Sequence, residues 1–200
     1  MAEEQRTLNH EKWMSEALDL AASALAKGDF PVGCVLVSGD IIVGTGARSH
    51  TMPGDMNELD HAEVCALRDW IERGRPLGHG DDTDITAYCN LEPCLMCFGA
   101  LILNGIKRIV YAYEDVMGGA TGLDFSRPMT GAAGTDGGFF NDNLYAKRRI
   151  EILGEIKRKE SLALFKSFFS DPAQSYWRDS LLYKYTLENC KRSRNAEIRK

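Results

Sequence analysis

Apolar positions between His10 and Ala26 recur at helical spacing. Trp13, Leu18 (or Ala17), Leu20-Ala21 and Leu25 fall near one face, which predicts an amphipathic helix stopped by Lys27-Gly28. The run Val32–Val37 reads as a buried strand, and Ser38-Gly39-Asp40 turns it into a second strand over Ile41–Gly44. Residues 45–60 form a polar loop punctuated by Gly and Pro. The stretch His61–Trp70 is a second helical run that ends near Arg73-Gly74. Asp84–Cys89 is a third strand whose carboxyl end delivers the chain to Pro93, where another helix begins and runs to Asn104-Gly105, a left-handed stop. Arg108–Tyr113 is a fourth strand, Arg149–Leu153 a fifth, and Lys159–Phe169 and Pro172–Tyr185 read as closing helices. This order implies an α/β layered sheet with its ligand site outside the carboxyl ends of the strands. No internal repeat or linker divides the chain, so residues 1–200 read as a single domain with a helical extension over 159–200.

Composition narrows the class. A length of 200 residues with 44% hydrophobic and 26% charged residues suits one soluble globular unit with a substantial core. No apolar run approaches the ~20 residues of a membrane span, so no membrane partner is expected. The start Met1-Ala2-Glu3-Glu4-Gln5-Arg6 lacks the basic and apolar regions of a signal peptide. Six cysteines do not suggest a disulfide scaffold, and a reducing cytoplasm is the simplest setting. The net charge of −5 weighs against a polyphosphate partner, whose affinity comes from Lys and Arg contacts. Basic residues do cluster late, in Lys147-Arg148-Arg149, Lys157-Arg158-Lys159 and Lys191-Arg192-Ser193-Arg194. A basic tail of this kind reads first as a solvated end.

The segment 114–143 carries glycines at 118, 119, 122, 131, 134, 137 and 138. Long connections without regular structure are usually functional or disordered. Because it leaves the fourth strand on the site side, it is expected to fold over the pocket as a lid, with Phe125, Phe139 and Phe140 as stacking groups. A subunit interface or a mobile surface loop are the alternatives.

The chemistry concentrates in two short motifs, His61-Ala62-Glu63 and Pro93-Cys94-Leu95-Met96-Cys97. Imidazole and thiolate are the ligands zinc takes in tetrahedral geometry, and a catalytic site leaves one of the four positions open. Pro93 suits the first position of a helix, and Cys94 and Cys97 then share one helical face. In the first turn both thiols lie near the positive end of the helix dipole, which lowers thiol pKa. Glu63 is left over as a proton carrier between water and a leaving amine. Blander readings exist for each part. Asp60-x-x-Glu63 fits a helix capping box, and Cys-x-x-Cys alone could be a redox dithiol or half of a structural zinc knuckle. A structural site would need a fourth protein ligand, and no second Cys-x-x-Cys or His-x₃-His is present.

On these residues the chain resembles the cytidine/deoxycytidylate deaminase superfamily, in particular its branch of tRNA adenosine deaminases and guanine or cytosine deaminases. The helix around Trp13, the strand Pro31–Val37 and the segment Asn90–Ala100 share the likeness, which covers 8–116 closely and 145–170 loosely. The resemblance implies a three-layer α/β/α sandwich around a five-stranded mixed sheet and one Zn²⁺ per chain on His61, Cys94 and Cys97. It further implies hydrolytic deamination with Glu63 as proton shuttle, backbone N–H groups near Ala62 and Cys94 holding water and developing charge, and a homodimer. Many relatives carry Asn where this chain has Arg48, so Arg48 either pairs with a carboxylate or phosphate or is solvated, the default. Asp115 matches a position relatives keep near the substrate, Phe30 either lines the pocket or packs in the core, and Gly122-Leu123-Asp124-Phe125 is similar to guanine deaminases. The tRNA enzymes close on an aromatic pair in a basic helix, whereas Phe168-Phe169 is followed here by the breaker Ser170-Asp171-Pro172. With the negative charge, this points to a small heterocyclic amine, a nucleobase or nucleoside. The alternative is a tRNA adenosine in the anticodon loop. A zinc-stabilised scaffold that has lost activity is a third reading, which the intact Glu63 opposes.

Cys34, Cys65 and Cys89 read as buried small hydrophobes and Cys190 as a free thiol. His10, His50 and His79 read as surface residues, and Trp13, Trp70 and Trp177 as packing residues on helices.

Overall fold

A computed structural model describes residues 2–74, 84–123, 145 and 150–188. Four named helices and five strands follow one another as α1 (Ala2–Ala26), β1 (Gly33–Ser38), β2 (Ile41–Ala47), α2 (Ala62–Glu72), β3 (Ile85–Leu91), α3 (Leu95–Leu103), β4 (Arg108–Tyr113), β5 (Glu151–Leu153) and α4 (Arg158–Ser170). The sheet order is β2-β1-β3-β4-β5. β1 pairs antiparallel with both β2 and β3, while β3, β4 and β5 run parallel, so the sheet is mixed as expected. α2 connects β2 to β3, and α3 is the crossover between β3 and β4.

Alternation along the strands builds two apolar layers. Val35, Val37, Tyr88, Val110 and Ala112 meet Trp13, Met14, Ala17 and Leu18 of α1. Their neighbours Leu36, Ala87, Cys89, Ile109 and Tyr113 share a cluster with Ala66 and Trp70 of α2, Phe98 of α3 and Phe165 of α4. β3 is buried at every position because both faces are covered. Asn90 on β3 is fully buried and polar. Its Oδ1 accepts from Gly33 N at 2.7 Å, and its Nδ2 donates to Pro31 O at 2.9 Å and Ser161 Oγ at 3.2 Å. The Ser161 hydroxyl returns a 2.6 Å bond to Asn90 O, so one amide locks β1, β3 and α4 together below the strand ends.

Two glycines set the height of α2 over the sheet. A Cβ on Gly46 would overlap the Ala62 carbonyl oxygen, and one on Gly44 would come within 2.5 Å of Ala66 O. Their bare backbones let α2 lie directly on β2, which fixes His61, Ala62 and Glu63 at its first turn.

Several expectations need correction. α1 begins at Ala2, eight residues earlier than the periodicity from His10 predicts, and β2 runs on to Ala47. His10 is not a surface residue: α1 lies over Tyr88, and His10 Nδ1 sits 3.0 Å from the Tyr88 hydroxyl in a buried contact. Pro172–Tyr185 is not one helix. Asp171 ends α4 in an extended conformation, turns follow over 172–180, and a short helix (α5) covers 181–188. Cys34 and Cys89 are buried opposite each other as register partners, whereas Cys65 is only half-buried. His50 is on the surface, 3.1 Å from Asp60. His79, Cys190, the basic groups at 147–149 and 191–194, and most of the glycine-rich stretch with Phe125, Phe139 and Phe140 lie outside the described residues. Among the described residues no helix is long and apolar enough to cross a membrane.

Candidate active site

The parallel strands β3 and β4 both end beneath one cavity. Leu91 hands the chain to Glu92-Pro93-Cys94, and Tyr113 hands it to Glu114-Asp115. Backbone bonds from Glu92 N to Tyr113 O (2.8 Å) and from Ala120 N to Pro93 O (3.0 Å) tie the two exits together. The Glu92 carboxylate closes the knot, accepting from Asp115 N and from both Thr121 N and Thr121 Oγ1.

α3 starts at Leu95, two residues after Pro93, the first helical position that the sequence predicts. Cys94 sits at its mouth as the N-cap, with φ −70° and ψ 171°. An antiparallel bridge to Gly119 holds Cys94 extended, so Pro93 falls outside the helix. The consequence the motif needs is preserved. Cys94 and Cys97 both occupy the first turn, and both face the N-cap of α2, His61.

His61 Nδ1 lies 3.6 Å from Cys94 Sγ and 3.5 Å from Cys97 Sγ. A tetrahedral zinc with ordinary Zn–S and Zn–N bonds sets its ligand atoms about 3.6 Å apart, so this trio is already spaced for the ion. The three ligand atoms all lie within 4.8 Å of one another, and no other described residue joins the group. The set leaves a coordination position free for water, as a catalytic zinc centre requires. Electrostatics agree with a thiolate here. Hydrogen bonding from Cys97 brings the Cys94 thiol down to about 4 against the opposing effect of burial, and His61 adds to the lowering. Cys97 is pushed up as the donor of that same contact. Burial acts to lower His61, yet the Cys94 thiolate and the Glu63 carboxylate leave it raised overall.

Glu63 stands beside the trio and outside it. It is 3% exposed, and burial, then repulsion from the Cys94 thiolate, hold its carboxyl above the usual range. The capping-box reading fails. Asp60 spends its carboxylate on Asn57 Nδ2 (2.7 Å) and Arg68 (2.6 Å), and α2 has no side-chain cap at all. With its capping function gone, Glu63 is a buried carboxylate at a metal-type site.

A cavity of about 310 Å³ opens over these groups, lined by His61, Ala62, Glu63 and Cys94. Phe30, Arg48 and Asp115 line it too. Phe30 does double duty, since its ring also packs against Phe165, Phe168, Phe169 and Tyr176 at 5.2–5.9 Å. Arg48 is not solvated. It is 3% exposed, and its guanidinium donates to Ser49 O, Asn57 O, the Glu58 carboxylate and the Tyr176 hydroxyl at 2.8–3.1 Å. Those donors are turned inward, which argues against a free cation waiting for a phosphate. Burial raises the Asp115 carboxyl, opposed by its backbone bonds at Met117 and Gly118.

Among the lining residues that the sequence reading does not place at the site are Glu58, Tyr176, Trp177 and Leu182. Glu58 lies three residues before the motif and reaches to within 3.5 Å of His61 Nε2. Trp177 is neither packed in the core nor on a helix; it sits in the turn after α4 and is 42% exposed. The only hint in the sequence was an aromatic pair just beyond the breaker Asp171-Pro172.

Residues 7–113 match the family described as the cytidine and deoxycytidylate deaminase zinc-binding region. The chain belongs to that family. It is a zinc-dependent deaminase, and His61, Cys94 and Cys97 form the His/Cys/Cys trio typical of the family's zinc site. Among relatives, the enzyme is 32% identical to tRNA-specific adenosine deaminase 2 of Xenopus laevis over 170 residues, 82% of this chain and 89% of the relative. It is 40% identical to the tRNA-specific adenosine deaminase of Buchnera aphidicola over 106 residues, 52% of this chain and 67% of the relative. A solved structure from a study of tRNA:A34 deaminases acting at the wobble position superposes with a TM-score of 0.57 at 25% identity, covering 76% of the enzyme and 98% of that chain. The guanine deaminase of Nitrosomonas europaea shares the fold with a TM-score of 0.58 at 22% identity, covering 79% and 83%.

Proposed function

We propose that the enzyme hydrolytically deaminates the adenine ring of adenosine, presented in a tRNA anticodon loop. The reading rests on the match to tRNA-specific adenosine deaminases along 82% of the chain. It reverses the order taken from sequence, in which charge and the break after Phe169 put a small substrate first.

In the reaction, water adds to the amine-bearing ring carbon, and ammonia leaves with the ring in its keto form. Zinc, when bound to His61, Cys94 and Cys97, supplies a Lewis acid that brings the pKa of water from ~15.7 to ~7. Glu63 takes one proton from water and passes it to the ring nitrogen, then carries the second, from the added hydroxyl, to the leaving amine as the ring carbon becomes a carbonyl. Its burial suits that task, because a carboxyl held above its usual range is a better proton acceptor and can still return the proton. The N–H of Ala62, at the first position of α2, has no partner within the helix and is the donor we assign to the developing charge.

The second reading, a free nucleobase or nucleoside, is supported by the wall that Tyr176, Trp177 and Leu182 raise along the cavity, and by the net charge of −5. Ammonia release measured on a tRNA anticodon stem-loop, adenosine, guanine, cytosine and dCMP separates the two. The stem-loop is expected to show the highest kcat/KM, declining steeply with salt. Turnover of guanine or cytosine with an inert stem-loop would replace the first reading by the second.

The enzyme is further proposed to be a homodimer through α3. Leu95, Met96 and Leu103 expose an apolar face there, 38–58% accessible, beside Tyr145. Sedimentation should show a dimer that Met96→Glu converts to monomer; a monomeric wild type would dismiss this interface. The cytoplasm remains the setting we assign, because the site depends on reduced Cys94 and Cys97.

A further inference from the structure

The turn between α4 and α5 is fastened at both ends and strained in the middle. Trp177 (φ 53°) and Asp179 (φ 67°) are both non-glycine residues in the left-handed region. L side chains hold that conformation only where surrounding contacts impose it, and such outliers concentrate at functional sites. The contacts here are specific. At the near end, the Tyr176 hydroxyl donates to Glu58 at 3.0 Å and accepts from Arg48 at 3.1 Å. Arg178 binds the turn to itself, donating to the carbonyls of Asp171, Pro172 and Gln174 just after α4, and the Gln174 amide reaches Gly28 O. At the far end, Tyr185 donates to Glu114 at 2.6 Å and Thr186 meets the Tyr113 hydroxyl at 3.1 Å, both at the exit of β4.

All this fastening delivers one large side chain to the cavity without burying it. Trp177 lines the same space as His61, Glu63 and Cys94, yet its indole is 42% exposed. The Trp177 ring meets Tyr176 edge-on at 5.6 Å. Packing does not account for an exposed indole held in a strained backbone. We propose that Trp177 is a specificity-determining residue, the face on which the substrate's heteroaromatic ring stacks, with Arg48, Glu58 and Tyr176 as the latch that presents it. Arg48 is then a positioning residue, acting through Tyr176. The inference rests on the reading that the site takes an aminated ring, whether free or turned out of an RNA loop.

The test combines kinetics with fluorescence. The other two tryptophans, Trp13 and Trp70, are 6% and 2% exposed, so quenching by a ring entering the cavity reports Trp177. Purine riboside, which carries no amine to lose, should quench the wild-type emission, and Trp177→Phe should abolish that quench. Trp177→Ala should raise KM for the substrate turned over by wild type by about 10–100-fold, the range of base–aromatic stacking, with kcat little changed and zinc retained. Trp177→Phe restores a ring and should recover most of that loss, which a merely structural role would not predict. Tyr176→Phe, which keeps the ring and cuts the latch, should raise KM several-fold in the same direction. An unchanged KM in Trp177→Ala, or a quench that survives in Trp177→Phe, overturns the proposal. A wild type that releases no ammonia from any adenosine-bearing substrate overturns the adenosine reading alone; the quench and the KM ratios on guanine or cytosine then still decide the role of Trp177.

Discussion

Glu63→Gln is expected to keep its zinc and lose turnover by about 10²–10⁴-fold, the usual contribution of a positioned acid–base group. The two halves of that result have separate physical causes. Zinc stays because Glu63 does not belong to the group of His61, Cys94 and Cys97 whose ligand atoms are spaced for the ion. Turnover goes because the amide has the carboxylate's shape without a titratable proton. Burial at 3% exposure also excludes a bulk water or buffer molecule as an easy substitute. The measurement is kcat alongside zinc content by atomic absorption. A variant within tenfold of wild type would remove the shuttle, and one that loses its metal would make Glu63 a structural part of the centre.

Cys97→Ala should do the opposite, abolishing both metal and activity together. Cys97 is fully buried and 3.5 Å from His61 Nδ1, so its loss opens a second coordination position and leaves the Cys94 thiolate without its hydrogen-bond donor. Anything that binds the native state alone stabilises it by mass action, about 2.7 kcal/mol at a ligand concentration 100 times Kd. Added zinc should therefore raise the melting temperature of stripped wild type and leave that of Cys97→Ala unmoved. A fully loaded, active Cys97→Ala protein would mean that the metal takes its ligands from elsewhere.

The readable part of the site was the part written in short spacings. The trio and Glu63 lie at the starts of two helices, and the preference of such turns for thiolates and carboxylates is local physics. The strands were legible for the same reason, through runs and alternation of apolar residues. Local cues also misled. Asp60 and Glu63 are correctly spaced for a capping box, but Arg68, a turn further along α2, claims Asp60. His10 looked like a surface histidine because its polar neighbours in the chain gave no sign of burial; it meets Tyr88, 78 positions away. Arg48 seemed solvated for the same cause, since its burial depends on Glu58 and on Tyr176, 128 positions away.

Taken alone, the amino-acid order displays the two short motifs, His61-Ala62-Glu63 and Cys94 with Cys97, and the α/β succession, because each is read from residues within a few positions of one another. Folding alone decides what surrounds them. It places β3 and β4 side by side so that Glu92 can knot their exits, seats α2 on the bare backbones of Gly44 and Gly46, and swings the segment after Asp171 across the cavity. The pocket's far wall is thus a long-range product of packing, and no period or motif in the chain could announce it.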